Sequence, residues 1–313
     1  MRPAGATWHA RAVLMHPGQL TVSAATVRAL VVEQFPQWRS LPVRSLAGQG
    51  TVNAIFRLGD HLTARFPLQP QDAGSVRRWL AAEAAAAREL AASTRFATPE
   101  PVAIGEPGAG YPLPWSVQTW LPGVVATEDD PGTSGAFAHD LAEFIGELRA
   151  ADTKGRTFRG SGRGGDLPSH DAWMSTCFER SEHLLDVPRL RQMWAALRTL
   201  PRTAADVMTH GDLIPGNVLV RGGRLAGVLD GGGFGPADPA LDLVGAWHLL
   251  ETGPRQLLRD GLGSDDLEWE RGKAWAFQQA MGLVWYYAGS NPGLSRLGAR
   301  TLGRLIADAG ALP

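Results

Sequence analysis

Residues 207–244 read VMTHGDLIPGNVLVRGGRLAGVLDGGGFGPADPALDLV. An apolar run, residues 218–220, is followed by Arg221-Gly222-Gly223-Arg224 and then by a second β-like run, residues 225–229. A Gly-Gly pair at the centre of the connection tolerates positive φ, so the pattern predicts a tight β-hairpin. Such a hairpin brings its open ends together, placing Asn217, before the first strand, beside Asp230, after the second. Asp212 stands five residues before Asn217, within reach of the same point. Hard oxygen ligands of this kind suit Mg²⁺, and a carboxylate left over can take a proton from an attacking hydroxyl.

The order His210-Gly211-Asp212, four further residues, Asn217, and a trailing Asp230 matches that of a kinase catalytic loop. With His-Gly-Asp in place of the protein-kinase His-Arg-Asp, and with Asp238-Pro239-Ala240-Leu241-Asp242 behind it, the chain resembles the aminoglycoside phosphotransferase family. The resemblance runs from about Met15 to the C-terminus. It implies a two-lobed, protein-kinase-like α+β fold, with a small antiparallel-sheet N-lobe (15–117), a hinge (118–123) and a larger, mainly helical C-lobe (124–313). Residues 1–14 have no clear pattern and are expected to form a disordered extension. The implied reaction is transfer of the γ-phosphate of ATP, or of GTP, to a hydroxyl of an aminoglycoside-like antibiotic. Asp212 would be the base, and Asn217 and Asp230 would hold Mg²⁺. Three alternatives stay open: a macrolide kinase, a housekeeping kinase of a choline-like alcohol or sugar, and a nucleotide-binding pseudokinase.

The resemblance also organises the first third of the chain. Strand-like residues 43–46, the Gly-rich segment holding Gly48, Gly50, Thr51 and Asn53, and strand-like residues 54–58 read as a hairpin whose N–H groups cover phosphates. The next strand carries Arg65 where a kinase has its phosphate-pairing Lys, and Arg can fork onto two phosphate oxygens. Residues 76–92 are dense in Ala, Leu, Glu and Arg and predict a helix. Glu83 lies on its apolar face and is the expected partner of Arg65, with Glu89 expected to be a solvated charge. Gln118, Thr119, Trp120 and Leu121 mark the hinge, whose main-chain groups would bind the base. One departure stands out. Gly231 follows Asp230 where the family has a bulky residue; the three glycines predict a flexible loop with weakened metal binding or activity, whether or not Phe234 fills the missing volume.

The rest of the chain narrows the function. Hydrophobic residues at 44% and charged residues at 19% fit a globular chain with an ample core. A net charge of −1 argues against a general nucleic-acid binder. Lys154 to Gly165 is basic and Gly-rich but without aromatic interleaving, and reads as a mobile surface loop. Cys177 is the single cysteine, which excludes an intramolecular disulfide and suits a reducing cytoplasm. No apolar run approaches the ~18 residues that a membrane span needs. The histidines form no His-Glu-x-x-His pattern, and no Gly-x-x-x-x-Gly-Lys-Ser/Thr occurs, so a zinc site of that type and a P-loop kinase are both set aside. Asp265, Asp266, Glu268 and Glu270 either receive a cationic sugar or cap a helix. Asp238-Pro239 predicts the start of a helix reaching Leu250, with Asp238 and Asp242 as scaffolding. The expected partner is a small hydroxyl acceptor, with the protein a monomer or homodimer.

Overall fold

The computed structural model describes residues 18–46 and 52–309. The N-terminal extension and the loop residues Gly48, Gly50 and Thr51 lie outside them. The chain opens with α1 (Ala24–Gln34), which Ser23 caps by accepting from the Thr26 N–H at 3.0 Å. Then come β1 (Val43–Ser45), β2 (Asn53–Leu58), β3 (Leu62–Pro67), α2 (Ala73–Ser93), β4 (Pro101–Gly105) and β5 (Trp115–Thr119). The strands form an antiparallel sheet in the order β1-β2-β3-β5-β4. Alternation along β3 sends Ala64 and Phe66 into a core with Val27, Leu30 and Trp115, where Phe66 stacks on Trp115 at 4.8 Å. Arg65, between them in sequence, points the other way. α2 begins three residues earlier than its composition suggests, because Asp72 caps it at the Ser75 N–H, 2.7 Å away.

The remainder is mainly helical. β6 (Val124–Val125) leads to α3 (Gly135–Ala150), α4 (Asp171–Ser181), α5 (Val187–Leu197) and β7 (Val207–Thr209). The hairpin β8 (Val218–Arg221) and β9 (Arg224–Val228) follows, then β10 (Gly235–Ala237), α6 (Val244–Leu249), α7 (Thr252–Leu262), α8 (Asp266–Tyr286) and α9 (Pro292–Ala309). β6 joins the hairpin as a three-stranded sheet, and β10 pairs with β7. α8 is the central post of this half, buried from Trp269 to Val284. Trp275 and Phe277 have no exposure. Among the described residues no helix is long and apolar enough to cross a membrane.

Three expectations need correction. The helix predicted from Asp238 starts only at Val244. Asp238 turns inward instead, accepting from Arg271 at 2.5 and 3.0 Å and from the Trp275 indole at 2.9 Å. A buried carboxylate takes the strongest donors it can reach, and here those lie on α8 rather than on its own helix. The basic loop is also pinned rather than free. Lys154 and Arg156 bind Glu89, the Phe158 N–H donates to Asp206 at 2.7 Å, and the Gly164 carbonyl accepts from the Asp238 N–H at 2.9 Å. Glu89 is thereby a loop anchor rather than a solvated charge, and its carboxyl is held below the usual range by the Arg156 hydrogen bond.

Candidate active site

The predicted hairpin forms, with a shift of register between Leu219 and Val220. Val218 faces Val228, and the Leu229 N–H donates to the Asn217 carbonyl at 2.7 Å, closing the mouth. Asn217 Nδ2 donates to Asp212 Oδ2 at 2.9 Å and to the Asp212 carbonyl at 3.0 Å. With its NH₂ committed to Asp212, the carboxamide turns its oxygen away from that residue and leaves it available to a cation. Asp230 follows at once, at φ +63°. A non-glycine residue held in the left-handed region stores roughly 1–3 kcal/mol of strain, which is common where a side chain must be aimed.

His210 orients the loop, as expected. Its Nε2–H donates to the Leu229 carbonyl at 2.9 Å, which leaves Nδ1 to accept from the Asp212 N–H at 3.3 Å. Asp242 accepts from the His210 and Gly211 N–H groups, each at 2.8 Å, and so is scaffolding for the same turn. Gly211 sits at φ +82°, where a side chain would be strained.

The cation on β3 is placed differently from the expectation. Arg65 Nη2 binds Asp230 Oδ1 at 2.8 Å, and among the described residues that is its ion pair; Glu83 does not hold it. Glu83 lies close by, packed on Gly232, where an added Cβ would come within 2.8 Å of the Glu83 Cγ. Burial pushes the Glu83 carboxyl up to about 6, and the Asp230 charge adds to that while Arg65 opposes it. Arg65, Glu83, Gln118, Asp230 and Gly232 line a crevice of about 320 Å³ between α2 and the sheet.

The glycines after Asp230 are ordered. Gly231–Gly233 form a 3-10 turn, with the Phe234 N–H bonded to the Gly231 carbonyl at 3.2 Å. The space a bulky residue would need at 231 is occupied by Leu90 of α2, which is fully buried. Phe234 is buried in the main core. At the predicted hinge, the Thr119 and Trp120 N–H groups are already used, donating to the Glu100 and His61 carbonyls. Of the four predicted hinge residues, Gln118 lines the crevice, while the Leu121 N–H is the donor not engaged by another described backbone group. Asn53 is buried at the start of β2, and its Oδ1 has no hydrogen-bond partner among the described residues.

Residues 44–275 match the model of the Phosphotransferase enzyme family. The chain belongs to that family. An aminoglycoside 3'-phosphotransferase of Escherichia coli is 41% identical over 61 residues, a match spanning 19% of this chain and 22% of the relative's length. An aminoglycoside 2'-phosphotransferase solved with GDP superposes with a TM-score of 0.69, covering 92% of this chain and 99% of its own at 21% identity. A macrolide 2'-phosphotransferase from Brachybacterium faecium gives 0.60, covering 89% and 97% at 19% identity. At such identities the likeness establishes the shared fold, an antiparallel sheet followed by a helical half.

Within this phosphotransferase two residues at the site were not legible in the sequence. Arg163 Nη2 binds Asp212 Oδ1 at 2.8 Å, and Gln279 Nε2 donates to the same oxygen at 2.7 Å. Gln279 is itself aimed by a relay. His248 Nε2–H donates to Gln279 Oε1 at 3.1 Å, and the Thr301 hydroxyl donates to His248 Nδ1 at 2.9 Å. This order of donors fixes the Gln279 amide with its NH₂ toward Asp212. Burial, the largest single influence, raises the Asp212 carboxyl, but the Arg163 charge and hydrogen bond, with His210 and Gln279, outweigh it and hold the group below its ordinary value. Asp212 is therefore ionised near neutrality, with 36% of its side chain still exposed. Asp265, Asp266, Glu268 and Glu270 sit at the far end of α8. The Glu268 N–H caps onto Asp265, and the other three bind Arg259, Arg149 and Lys273.

Proposed function

We propose that this phosphotransferase is a kinase that moves the γ-phosphoryl group of a nucleoside triphosphate, ATP or GTP, onto a hydroxyl of an antibiotic of the aminoglycoside type. The observation that carries the reading is the state of Asp212. Its Oδ1 already accepts from two side chains, whereas Oδ2 accepts from Asn217 alone and keeps a lone pair for an incoming hydroxyl. Relatives support the acceptor class, since one of the similar folds was solved with GDP and kanamycin and another with streptomycin and ATP.

Asn217 and Asp230 would hold Mg²⁺. Two hard oxygen ligands fit an ion that takes the rest of its shell from water and phosphates, and no group of three or more His, Cys, Asp or Glu among the described residues offers a fuller cage. When bound, Mg²⁺ supplies charge neutralisation at the phosphates. Arg65 then exchanges Asp230 for phosphate oxygens and comes under the pull of Glu83. The Leu121 N–H donates to the nucleotide base. Asp212 Oδ2 takes the acceptor's proton as the acceptor oxygen bonds to the γ-phosphorus. The bond from that phosphorus to the bridging oxygen breaks, and the nucleoside diphosphate leaves with the electron pair. Positioning and proton removal of this kind are worth roughly 10²–10⁴ in rate. The ordered turn at Gly231–Gly233 and the Leu90 side chain beneath it weigh against the pseudokinase reading, which rested on a loose metal loop. The buried Cys177 and the net charge of −1 fit a cytoplasmic protein that does not bind nucleic acid.

The test is incubation of the protein with Mg²⁺, ATP or GTP and a panel of aminoglycosides, macrolides and small alcohols, with products read by mass spectrometry. An aminoglycoside gaining one phosphoryl group supports the proposal. Phosphorylation confined to choline-like alcohols overturns the antibiotic reading.

A further inference from the structure

We infer that His248 and Thr301 are positioning residues for the phosphoryl transfer: acting through Gln279, they hold Asp212 turned so that Oδ2, not Oδ1, takes the acceptor's proton. The inference rests on the kinase reading above and deepens it.

The relay has a direction, and the carboxylate sets it. Asp212 offers no proton, so the Gln279 amide presents its NH₂ to Oδ1 at 2.7 Å and turns Oε1 the other way. That oxygen meets His248 Nε2 at 3.1 Å, so the imidazole carries its proton on Nε2. Burial keeps the ring neutral, which leaves Nδ1 to accept from the Thr301 hydroxyl 2.9 Å away. The far end of this chain is fixed in place. His248 and Thr301 have no exposure. α6, which carries His248, is six residues long, and its last carbonyls have no partners within the helix. Arg304 of α9 supplies them: Nη1 donates to the Trp247 and His248 carbonyls at 2.9 and 3.2 Å, and Nη2 binds Glu251. Thr301 and Arg304 are three residues apart and share a face of α9. One helix thus holds both the side chain and the backbone of His248.

Gln279 needs such an anchor. It is the partly exposed position in a stretch of α8 that is otherwise buried from Arg271 to Met281. A glutamine at such a place has rotamers open to it that point away from Asp212. The bond from His248 removes that freedom and leaves the NH₂ aimed at Oδ1. Arg163 binds the same oxygen. Turning the carboxylate to bring Oδ1 to an acceptor would break two hydrogen bonds to a charged group, each stronger than a neutral pair. Oδ2, which accepts from Asn217 alone, therefore stays the oxygen with a lone pair to spare. A buried polar chain of this kind is rigid only while every member is satisfied, so the loss of its most distant hydroxyl is felt at the carboxylate.

The experiment measures kcat and nucleotide affinity, with an acceptor that wild type phosphorylates, in Gln279→Met, His248→Leu, the double variant, Thr301→Val and Thr301→Ser. Gln279→Met should lower kcat by roughly tenfold to a hundredfold, the scale of one hydrogen bond to a charged group. His248→Leu and Thr301→Val should each lower it by about threefold to tenfold, the scale of one neutral hydrogen bond. Nucleotide affinity, which reports folding, should stay unchanged throughout. The double variant should be no slower than Gln279→Met, because without an amide at 279 there is nothing left for His248 to aim. Thr301→Ser, which keeps the hydroxyl, should recover the rate that Thr301→Val loses. If His248→Leu does not fold, the two Thr301 variants decide, since Val matches Thr in size. Losses that multiply in the double variant overturn the inference and make His248 a packing residue. So does a wild-type kcat in Gln279→Met or Thr301→Val, or a Thr301→Ser protein as slow as Thr301→Val. Absence of transfer by wild type to any alcohol overturns the kinase reading itself and the inference with it.

Discussion

Gly231 shows how one residue can be misread without its neighbours. A missing side chain after Asp230 suggests a hole or a floppy loop, yet Leu90 occupies the place and the turn is hydrogen-bonded. Restoring bulk is therefore overpacking, which typically costs 1–3 kcal/mol. Gly231→Phe should lower stability in denaturant unfolding by about 2 kcal/mol, toward the middle of that range. A Gly231→Phe protein as stable as wild type would mean that Leu90 does not hold this space. Arg65 carries a related lesson. Its position on β3 was readable from strand order, but its partner was not, because Glu83 and Asp230 both lie within its field and local pattern cannot rank them. The structure gives the hydrogen bond to Asp230. Arg65→Met should leave that carboxylate half-exposed without its cation and weaken nucleotide binding by roughly tenfold or more, the scale of one lost charge-assisted bond. Isothermal titration with and without Mg²⁺ would read the change, and unaltered affinity would remove Arg65 from the nucleotide site.

Among the elements, the β8–β9 hairpin was the most legible, since two β-like runs joined by a Gly-Gly turn predict a tight hairpin without help from the rest of the fold. That one element carries Asn217 and Asp230 into place. The loop over residues 154–165 was the least legible. Its glycines read as freedom, whereas Gly164 serves close packing against Ala237. Gly164→Ala should push the loop away and lower kcat at least tenfold, as misplacement near the chemistry does. Nucleotide affinity should stay unchanged, and a wild-type kcat would show the loop to be irrelevant to Asp212. Gln279 did leave a trace. Gln278-Gln279 interrupts an apolar stretch of α8, and buried amides require partners. Those partners, His170, His248 and Asp212, stand 31 to 108 residues away in sequence, beyond anything a local pattern can assign.

For the whole molecule, stability and the site share buried polar groups. His248 is fully buried between α8 and α9, and burial lowers its pKa from 6.5 to about 4. The native state therefore keeps His248 neutral while the unfolded chain takes up a proton as pH falls below about 6.5. Stability should be complete above that pH and decline as pH drops toward about 4, by up to about 3 kcal/mol from this residue. His248→Gln, which cannot titrate, should flatten that part of the stability–pH curve; an unchanged slope would assign the acid sensitivity elsewhere. Asp238, bonded to Arg271 and Trp275, ties the catalytic half of the chain to the helical post. Its replacement by Ala should cost roughly 3–5 kcal/mol, because Arg271 would be left as an uncompensated buried charge. The two-part architecture was implied by the family resemblance that the 207–244 motif carries. The buried network joining its parts was not, because it depends on which helix faces meet.

The central claim is that Asp212 is the base of a phosphoryl transfer. Its most direct test is single-turnover release of nucleoside diphosphate in the presence of Mg²⁺ and acceptor, comparing wild type with Asp212→Asn, with nucleotide affinity measured alongside. Asn keeps the shape, and its one oxygen can still accept from Arg163 and Gln279, but its NH₂ stands where Oδ2 accepted from Asn217 and cannot take the proton. The account predicts a loss of roughly 10²–10⁴ in rate at unchanged nucleotide affinity. An Asp212→Asn protein that turns over at the wild-type rate would contradict it.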